Sequence, residues 1–448
     1  MTKCNGLPLT FSRLQRRNIQ ANFDGGAITS DAGALLLRET DRRIGLIDAI
    51  TGCITDSRDP AKTTHDLRTL LAQRIFAIAL GYEDGNDHEN LRRDPMLQLV
   101  TERGIDSARP LGSPSTLCRM ENGVPREALV KFARVLVDQF IASHPDPSGP
   151  AEIVLDFDAT DDPVHGRQEG RFFHGYYDHY CFLPLYVFCG DHLLCAYLRP
   201  SKIDAAKHSR AILKLLVDRI REAWPEVRIV FRGDSGFCRW KLLRWCDRHD
   251  VSYIVGLAKN ARLKRMARRQ IVTARWRHRC TGDKQRLFGD LDYAAGSWDS
   301  SRRVIIKAEH SDRGANPRFV VTNLPGQAKS LYEQVYCQRG EMENRIKEQQ
   351  LALFADRTSC HAFAANQFRL LLSSAAYVLL DTLRRVGLSN TPLGRAQCQT
   401  IRLKVLKIGA RITQSVRRVV LHLASGYPLQ RLFAEILQRL RFRHPIPI

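Results

Sequence analysis

The feature that most constrains this chain is an apolar, strand-like segment, residues 152–158, that ends in an aspartate. Alternation along a strand places Val154, Asp156 and Asp158 on one face. Carboxylates at strand ends lie where loops open to solvent and ligands can reach them. Of the two aspartates we select Asp158, because it is nearer the strand end and directly precedes Ala159 and Thr160.

A second apolar segment, residues 228–234, also ends in an aspartate. Gly233 and Gly236 flank Asp234 and permit tight backbone geometry and the close approach of a ligand or metal ion. The alternative is an ordinary Asp-Ser-Gly turn in which Asp234 only caps the chain. Two such segments predict a sheet with acidic side chains at the ends of its strands.

A later segment carries a third carboxylate on a predicted helix. Residues at intervals of three, four and seven share a helix face, and here that face carries Tyr336, Arg339, Glu343, Lys347 and Gln350. An ordinary helix ion pair between Glu343 and Lys347 is the simpler explanation for part of this pattern. The grouping of all five residues is what favours a functional site.

Three carboxylates, Asp158, Asp234 and Glu343, are suited to holding two divalent cations. Mg²⁺ and Mn²⁺ prefer oxygen ligands, and a pair of such ions supports in-line displacement at phosphorus. Without a cation, three clustered carboxylates would repel one another and raise their pKa values. Arg339 and Lys347 are placed to neutralise phosphate charge.

The rest of the chain predicts a mixed α/β fold with further helices at both ends. A Pro- and Gly-rich segment, His144–Pro150, separates a helical region from the strands. The predicted helices are Ala32–Arg43, Thr64–Leu80, Asn86–Leu91, Arg126–Ala142, Ala205–Trp224, Arg239–His249, Leu331–Leu353, Ala362–Val386, Thr400–Ala424 and Leu429–Phe442. The predicted strands are Glu152–Asp158, Leu183–Cys189, Leu193–Leu198, Arg228–Arg232, Tyr253–Leu257, Arg286–Tyr293, Arg302–His310 and Arg318–Thr322.

Charge indicates a polyanionic partner. The 448 residues include 69 Lys and Arg against 47 Asp and Glu, a net charge of +22, and binding to phosphates is driven by release of their counterions. From Ile401 onward Glu435 is the single acid. The N-terminus has no apolar signal segment and no membrane span is predicted, so we expect a cytoplasmic protein with reduced cysteines. The chain has no Cys-x-x-Cys pair, so we do not expect a zinc site.

A helix start at Ser113–Pro114 is a candidate for DNA contact. Ser113 can cap this helix and Pro114 suits its first turn. Ser115, Thr116 and Arg119 would then enter a major groove if this were the second helix of a helix-turn-helix. An ordinary capped surface helix explains the residues equally well.

The three acidic segments resemble the DDE transposases of bacterial insertion sequences, and most closely the IS1380 family. The matching segments are residues 155–166, 231–237 and 336–348, with residues 169–177 also typical. The resemblance implies a ribonuclease-H-like catalytic domain with the triad Asp158, Asp234 and Glu343. It also implies a role in DNA binding for Tyr336 and Arg339.

In the related IS4-like group a lysine follows the glutamate by about two turns. Here that position is Gln350, and Lys347 lies one turn after Glu343. Related enzymes also use an aromatic side chain in an insertion to hold a displaced base. Trp298, in a loop between two predicted strands, is our candidate, and a hydrophobic plug is the alternative.

The resemblance organises the chain into five regions. These are a helical DNA-binding region (1–150), the first part of the ribonuclease-H-like core (151–261), a β-rich insertion (262–325), the second part of the core with the Glu343 helix (326–390) and a basic helical region (391–448).

The function that this implies is two-metal cleavage and strand transfer at the terminal inverted repeats of an insertion sequence, with Mg²⁺ or Mn²⁺. Its partners would be those repeats and target DNA, both double-stranded, and a second copy of the chain in a dimer on DNA. Two alternatives remain. One is a DNA-binding protein without catalysis, and the other is a metal-dependent nuclease that does not join strands.

Overall fold

The computed structural model describes residues 9–105 and 108–442. Its strands are β1 (Leu9–Leu14), β2 (Arg17–Ala21), β3 (Ile28–Thr29), β4 (Glu152–Ala159), β5 (Asp162–Pro163), β6 (Phe172–His174), β7 (His179–Phe182), β8 (Leu185–Cys189), β9 (His192–Tyr197), β10 (Arg228–Gly233), β11 (Val251–Leu257), β12 (Gln285–Tyr293), β13 (Arg302–Ser311), β14 (Gly314–Ala315), β15 (Arg318–Thr322), β16 (Ala410–Gln414) and β17 (Val419–Leu423). Its α-helices are α1 (Ala34–Ile44), α2 (Leu46–Thr51), α3 (Leu67–Leu80), α4 (His88–Leu91), α5 (Pro95–Val100), α6 (Pro114–Asn122), α7 (Arg126–Ala142), α8 (Ser209–Ala223), α9 (Trp240–Arg248), α10 (Ala261–Met266), α11 (Arg268–Thr281), α12 (Ala328–Ser330), α13 (Gly340–Lys347), α14 (Phe363–Thr382), α15 (Cys398–Ile401) and α16 (Gln430–Arg441).

The chain forms two compact units. One unit consists of the described residues up to Glu121 together with those from Leu379 onward, and the other is Asn122–Val378. These units divide the chain at positions other than the functional boundaries predicted at 150, 261, 325 and 390, and those boundaries stay predictions.

A mixed sheet forms the centre of the unit Asn122–Val378. Its strand order is β12-β13-β15-β11-β10-β4-β8-β9, and β14 pairs with β13. Strands β4, β10 and β11 run parallel, whereas the hairpin β8–β9 and the strands beyond β11 are antiparallel. The mixed α/β fold expected from the sequence is confirmed.

Helices cover both faces of this sheet. Side chains alternate between the faces along every strand, so each face presents apolar residues against which helices pack. On one face Ile229 and Phe231 pack in a core with residues of α8, α9 and α11. On the other face Val230 packs with Leu331 and Tyr332, which lie on the helical segment 328–352. Strands with two apolar faces of this kind are typical of parallel sheets buried between helices.

The predicted β-rich insertion, residues 262–325, contains the expected strands, but two features differ from the prediction. Its first part is helical, since α10 and α11 precede β12. Its strands also extend the central sheet, because β15 pairs with β11 and β13 pairs with β15. Pairing with a strand elsewhere in the chain leaves no local mark in the sequence.

The other unit combines helices with two small sheets. An exposed hairpin is formed by β1 and β2. The helix predicted over Thr400–Ala424 is wrong, because α15 is followed by the antiparallel pair β16–β17. The β-branched residues of Arg411–Thr413 and Val419–Val420 favour strands, and β16 also pairs with β3 from the start of the chain.

A helical stretch, Phe363–Gly387, is long and apolar enough to cross a membrane. However, 78% of its most apolar window is buried inside the protein, and core helices of soluble proteins often share this composition and burial.

A buried polar network links α6 to α3 in the unit that contains the described residues up to Glu121. The Nε of Arg74 donates to Oε1 of Glu121 at 2.8 Å, and both side chains are about 3% exposed. The amide of Gln73 exchanges hydrogen bonds with the backbone of Gly112 and contacts the ring of His88 at 2.9 Å. Burial, and then the charge of Arg74, lower the pKa of His88 to about 3.

Because His88 is neutral in the folded protein, its unit should lose stability in acid. Below pH 6.5 the unfolded chain takes up a proton that folded His88 does not. The free energy of unfolding therefore falls by about 1.4 kcal/mol per pH unit as the pH drops from 6.5 towards 3. The variant His88→Gln lacks this titration, so thermal melting should show it less stable than the parent protein at pH 7.5, with a gap that narrows at pH 5. A gap of constant size would contradict the assignment.

Candidate active site

The parallel pairing of β4 and β10 brings the first two predicted carboxylates together. In the register of this pair Gly233 lies opposite Phe157, so the next residues, Asp234 and Asp158, stand at the same end of adjacent strands. Asp158 is the penultimate residue of β4, and Asp234 follows β10 directly. The Oδ1 of Asp234 accepts a hydrogen bond from the backbone of Gly236 at 2.8 Å, so the turn-capping role and the position at the strand end coexist.

The third predicted carboxylate, Glu343, is linked to Asp158 by Arg339. Arg339 donates from one terminal nitrogen to Oδ2 of Asp158 at 3.1 Å and from the other to Oε1 of Glu343 at 2.9 Å. Glu343 lies on α13, and its side chain is 48% exposed, whereas that of Asp158 is 16% exposed. Arg339 thus bridges a buried strand-end carboxylate and a helix carboxylate that faces solvent.

Tyr336 lies over the end of β11, next to Asp234. A Cβ built on Gly256 would stand 2.7 Å from the Tyr336 hydroxyl oxygen and 2.8 Å from the backbone nitrogen of Ser235. Only a glycine at position 256 leaves room for this close approach. The ring therefore lies beside the turn that carries Asp234.

Asp156 has a different role from Asp158. It forms a two-pronged ion pair with Arg232, in which one hydrogen bond measures 2.6 Å, and both side chains are buried. Arg232 also donates to the backbone carbonyl of Val335 at 2.5 Å. Burial raises the pKa of Asp156, and the hydrogen bonds from Arg232 oppose that rise. Asp156 thus anchors the helical segment to the sheet, which supports Asp158 as the aspartate of the candidate site.

The neighbouring acids Asp161 and Asp162 have hydrogen-bond partners of their own. Oδ2 of Asp161 contacts Nε2 of His179 at 2.8 Å. The side-chain amide of Gln350 donates to Oδ1 of Asp162 at 2.8 Å and to the backbone carbonyl of Asp161 at 2.9 Å. Burial raises the pKa of Asp162 well above its ordinary value, and the hydrogen bond from Gln350 opposes that rise. Through these hydrogen bonds Gln350 links the C-terminal end of the helical segment that carries Glu343 to the loop after β4.

Lys347 lies on α13, one turn after Glu343, and is exposed. The ion pair of Glu343 is made with Arg339, one turn earlier, and the pair between Glu343 and Lys347 that the spacing allowed is not formed. Lys347 is therefore available to a ligand from solution, and its predicted role in phosphate binding stays a prediction.

Trp298 is packed and stands apart from the carboxylates. It lies in the loop between β12 and β13 at the far edge of the sheet, half-buried against the core. Its ring meets that of Tyr293 edge-on at 5.5 Å between centroids, and the guanidinium of Arg302 lies 5.4 Å from its centroid. These contacts favour the hydrophobic plug, and we leave Trp298 out of the proposed catalytic group.

The electrostatics of the site favour an added cation. Burial raises the pKa of Asp158 to about 6; the charge of Arg339 opposes this rise, whereas Asp234 and Glu343 add to it. Two strand-end aspartates and a helix glutamate supply the hard oxygen ligands that Mg²⁺ and Mn²⁺ prefer. As placed, no three His, Cys, Asp or Glu side chains in the described part of the chain are close enough to hold one ion, and Arg339 provides the positive charge. The residues fit a divalent cation in donor type and charge once Arg339 releases them.

The predicted DNA-contacting residues of the other unit lie at the start of α6. The hydroxyl of Ser113 accepts from the backbone nitrogen of Thr116 at 3.4 Å and contacts its side-chain oxygen at 3.0 Å, which is the expected helix cap. Ser115 and Arg119 are exposed. Next to the cap is a cavity of about 490 Å³ whose lining includes Thr116 and three arginines, Arg92, Arg103 and Arg109. Reading of base edges by Ser115, Thr116 and Arg119 stays a prediction.

Sequence reasoning missed a strongly basic surface on α10 and α11. From Lys259 to Gly282 the chain has no acidic residue, and the predicted β-rich character of this region concealed the helices. The signal was present in the spacing of Ala267, Ile271 and Ala274, which marks one apolar helix face.

A family model described as "Transposase DDE domain group 1" matches residues 11–445. Among solved structures, the cryo-EM structure of a piggyBac transposase synaptic complex with hairpin DNA has 12% identity and a TM-score of 0.42, with 84% of this chain and 80% of that chain covered. At that TM-score the likeness supports no correspondence between residues. No curated protein sequence matches this chain.

The different roles of Asp156 and Asp158 predict losses of stability of different size when each is removed. Asp156→Ala leaves the buried guanidinium of Arg232 without its counter-charge, which should cost about 3–5 kcal/mol. The pKa of folded Asp158 is raised, so its ionisation disfavours the folded state above the ordinary carboxyl pKa. Asp158→Ala removes that penalty together with one partner of Arg339. The net change in the free energy of unfolding at pH 7.5 should therefore stay within about 1 kcal/mol. Urea denaturation in metal-free buffer measures both, and equal losses would refute the distinction.

Proposed function

This chain belongs to the transposase DDE domain group 1 family, and on that premise we propose that it cleaves DNA at the ends of an insertion sequence and joins the freed ends to target DNA. The observation that carries the proposal is that Asp158 and Asp234 stand at the same end of adjacent parallel strands, where Arg339 pairs with both Asp158 and Glu343. A protein that only binds DNA gains nothing from carboxylates clustered where they would face phosphates.

We assign the ligand positions for two divalent cations, Mg²⁺ or Mn²⁺, to Asp158, Asp234 and Glu343. When bound, such a pair of ions activates the attacking oxygen and stabilises the leaving oxygen at phosphorus. Glu343 is half-exposed on its helix, so it can turn towards the strand-end aspartates. Arg339 is then free to bind a phosphate oxygen, for which its planar guanidinium is well suited.

Tyr336 positions the substrate strand in this proposal. Its ring is held over Gly256 beside the turn of Asp234, where its hydroxyl can donate to a phosphate or sugar oxygen. Lys347 is exposed one turn beyond Glu343 and adds positive charge along the same strand. These side chains orient the scissile phosphate, and positioning of this kind supplies much of the rate in phosphoryl transfer.

The finer parts of the proposal concern partners and subgroup. We place the chain in the IS1380 group and assign it the terminal inverted repeats of its own element as specific DNA. The net charge of +22 supports a DNA partner. Because two ends must be joined, we propose that a dimer forms on DNA, in the cytoplasm.

The test is cleavage and joining of DNA that carries the element's own ends. Asp158→Asn, Asp234→Asn and Glu343→Gln should each reduce Mg²⁺-dependent cleavage at least about a hundredfold, since each removes a ligand or charge used in the transition state. Glu341→Gln is the matched control, because this exposed residue of α13 has no place in the proposed site. Full cleavage by all three variants would refute the proposal.

A second assay separates joining from cutting. DNA ends that are already cut should be joined to a target plasmid by the wild-type protein. Cleavage without this transfer would indicate a nuclease, and specific binding without cleavage in any divalent metal would indicate a protein that only binds DNA.

A further inference from the structure

The arginine face of α11 is the strongest unassigned surface of the unit Asn122–Val378. We define it as Arg268, Arg269, Arg275 and Arg279, all exposed, together with the exposed Trp276 between them. Arg268, Arg275 and Arg279 are separated by seven and four residues and share one side of the helix, with Arg269 and Trp276 beside them. Ala267, Ile271 and Ala274 lie on the side of the helix that faces the sheet, where they pack in the core with residues of β13.

The positive charge of this face destabilises the folded protein when nothing is bound to it. No acidic side chain within 4 Å pairs with any of its four arginines, within residues 9–105 and 108–442. Some exposed arginines elsewhere in the unit do have acidic partners, such as Arg134 with Glu222 and Arg228 with Glu152. Like charges three or four residues apart repel on a helix surface.

The beginning of α11 adds a second electrostatic cost. Arg268 and Arg269 occupy its first turn, which has no acidic residue, although the N-terminal end of a helix dipole favours negative charge. The positive field also reaches a neighbour: the pKa of His310 is lowered by desolvation and further by His278, Arg275 and Arg279. A bound polyanion would relieve both the repulsion and the dipole conflict.

We propose that the arginine face binds the phosphate backbone of duplex DNA. This inference rests on the proposed function and adds to it a DNA-binding surface outside the catalytic site. The 14 residues of α11 span about 21 Å, which is about six base pairs at ~3.4 Å each. The helix packs on the sheet face opposite the Glu343 segment, so this surface is separate from the proposed catalytic site.

A duplex backbone is the occupant that this face fits. Arginines spaced along one side of a rigid helix can contact successive phosphates, and a guanidinium group binds phosphate oxygens with two hydrogen bonds. Contacts to the backbone carry no sequence information. Binding should therefore be independent of sequence.

The experiment measures binding of a 30-base-pair duplex by fluorescence anisotropy at several salt concentrations, in EDTA. The full-length double variant Arg275→Gln/Arg279→Gln loses two phosphate contacts, so the slope of log K against log salt should become shallower by about 1.8. Affinity at 0.15 M salt should fall about 30-fold, equally for two duplexes of unrelated sequence. An RNA duplex of the same length is measured in parallel.

The matched control is Arg134→Gln/Arg228→Gln, which removes the same charge from arginines that are held in ion pairs. Its salt slope should stay that of the wild type. Thermal melting adds a readout that a structural role would not give: the Arg275/Arg279 variant should melt at or above the wild-type temperature, because it loses a like-charge pair.

Three results would overturn the inference. One is a wild-type salt slope in the Arg275/Arg279 variant, another is an equal loss in the control, and the third is a loss confined to the RNA duplex or to one DNA sequence. Because binding is measured in EDTA, failure of the catalytic proposal would leave this result unchanged. Conversely, normal DNA binding by the double variant would leave the catalytic proposal intact.

Discussion

The parallel pairing of β4 with β10 is the constraint on which the candidate site depends. Its register sets Asp158 and Asp234 at the same height on adjacent strands. A slip of one residue would turn every side chain of β4 to the other face of the sheet and would leave an apolar residue where the carboxylate stands. The apolar side chains Leu155 and Phe157, buried on the opposite face, prevent that slip.

Two arginines balance the acidic charge at different depths. Arg232 is fixed in a buried pair with Asp156 and holds the helical segment to the sheet through the carbonyl of Val335. Arg339 lies nearer the solvent and bridges Asp158 and Glu343. The first arrangement is structural, because breaking it leaves a buried charge without its partner. The second is the one that the proposed cation and phosphate would replace.

Local pattern predicted the strand ends and the Glu343 helix, because both depend on apolar periodicity that the sequence shows directly. It distinguished Asp158 from Asp156 only by position, since the partner of Asp156, Arg232, lies 76 residues away. Long-range pairing also explains the wrong helix over Thr400–Ala424, where β16 joins β3. For Trp298 the sequence showed an aromatic in a loop, but it did not show that the ring packs against Tyr293 and Arg302 at the ends of the flanking strands.

The central claim is that Asp158, Asp234 and Glu343 together hold divalent cations once Arg339 moves aside. Its most direct test is a crystal structure of the protein with Mn²⁺ and a DNA duplex, with the ions located by anomalous scattering. The account predicts two Mn²⁺ peaks bound by the three carboxylates, with Arg339 turned to a phosphate. Mn²⁺ bound elsewhere, with Arg339 still bridging Asp158 and Glu343, would contradict it.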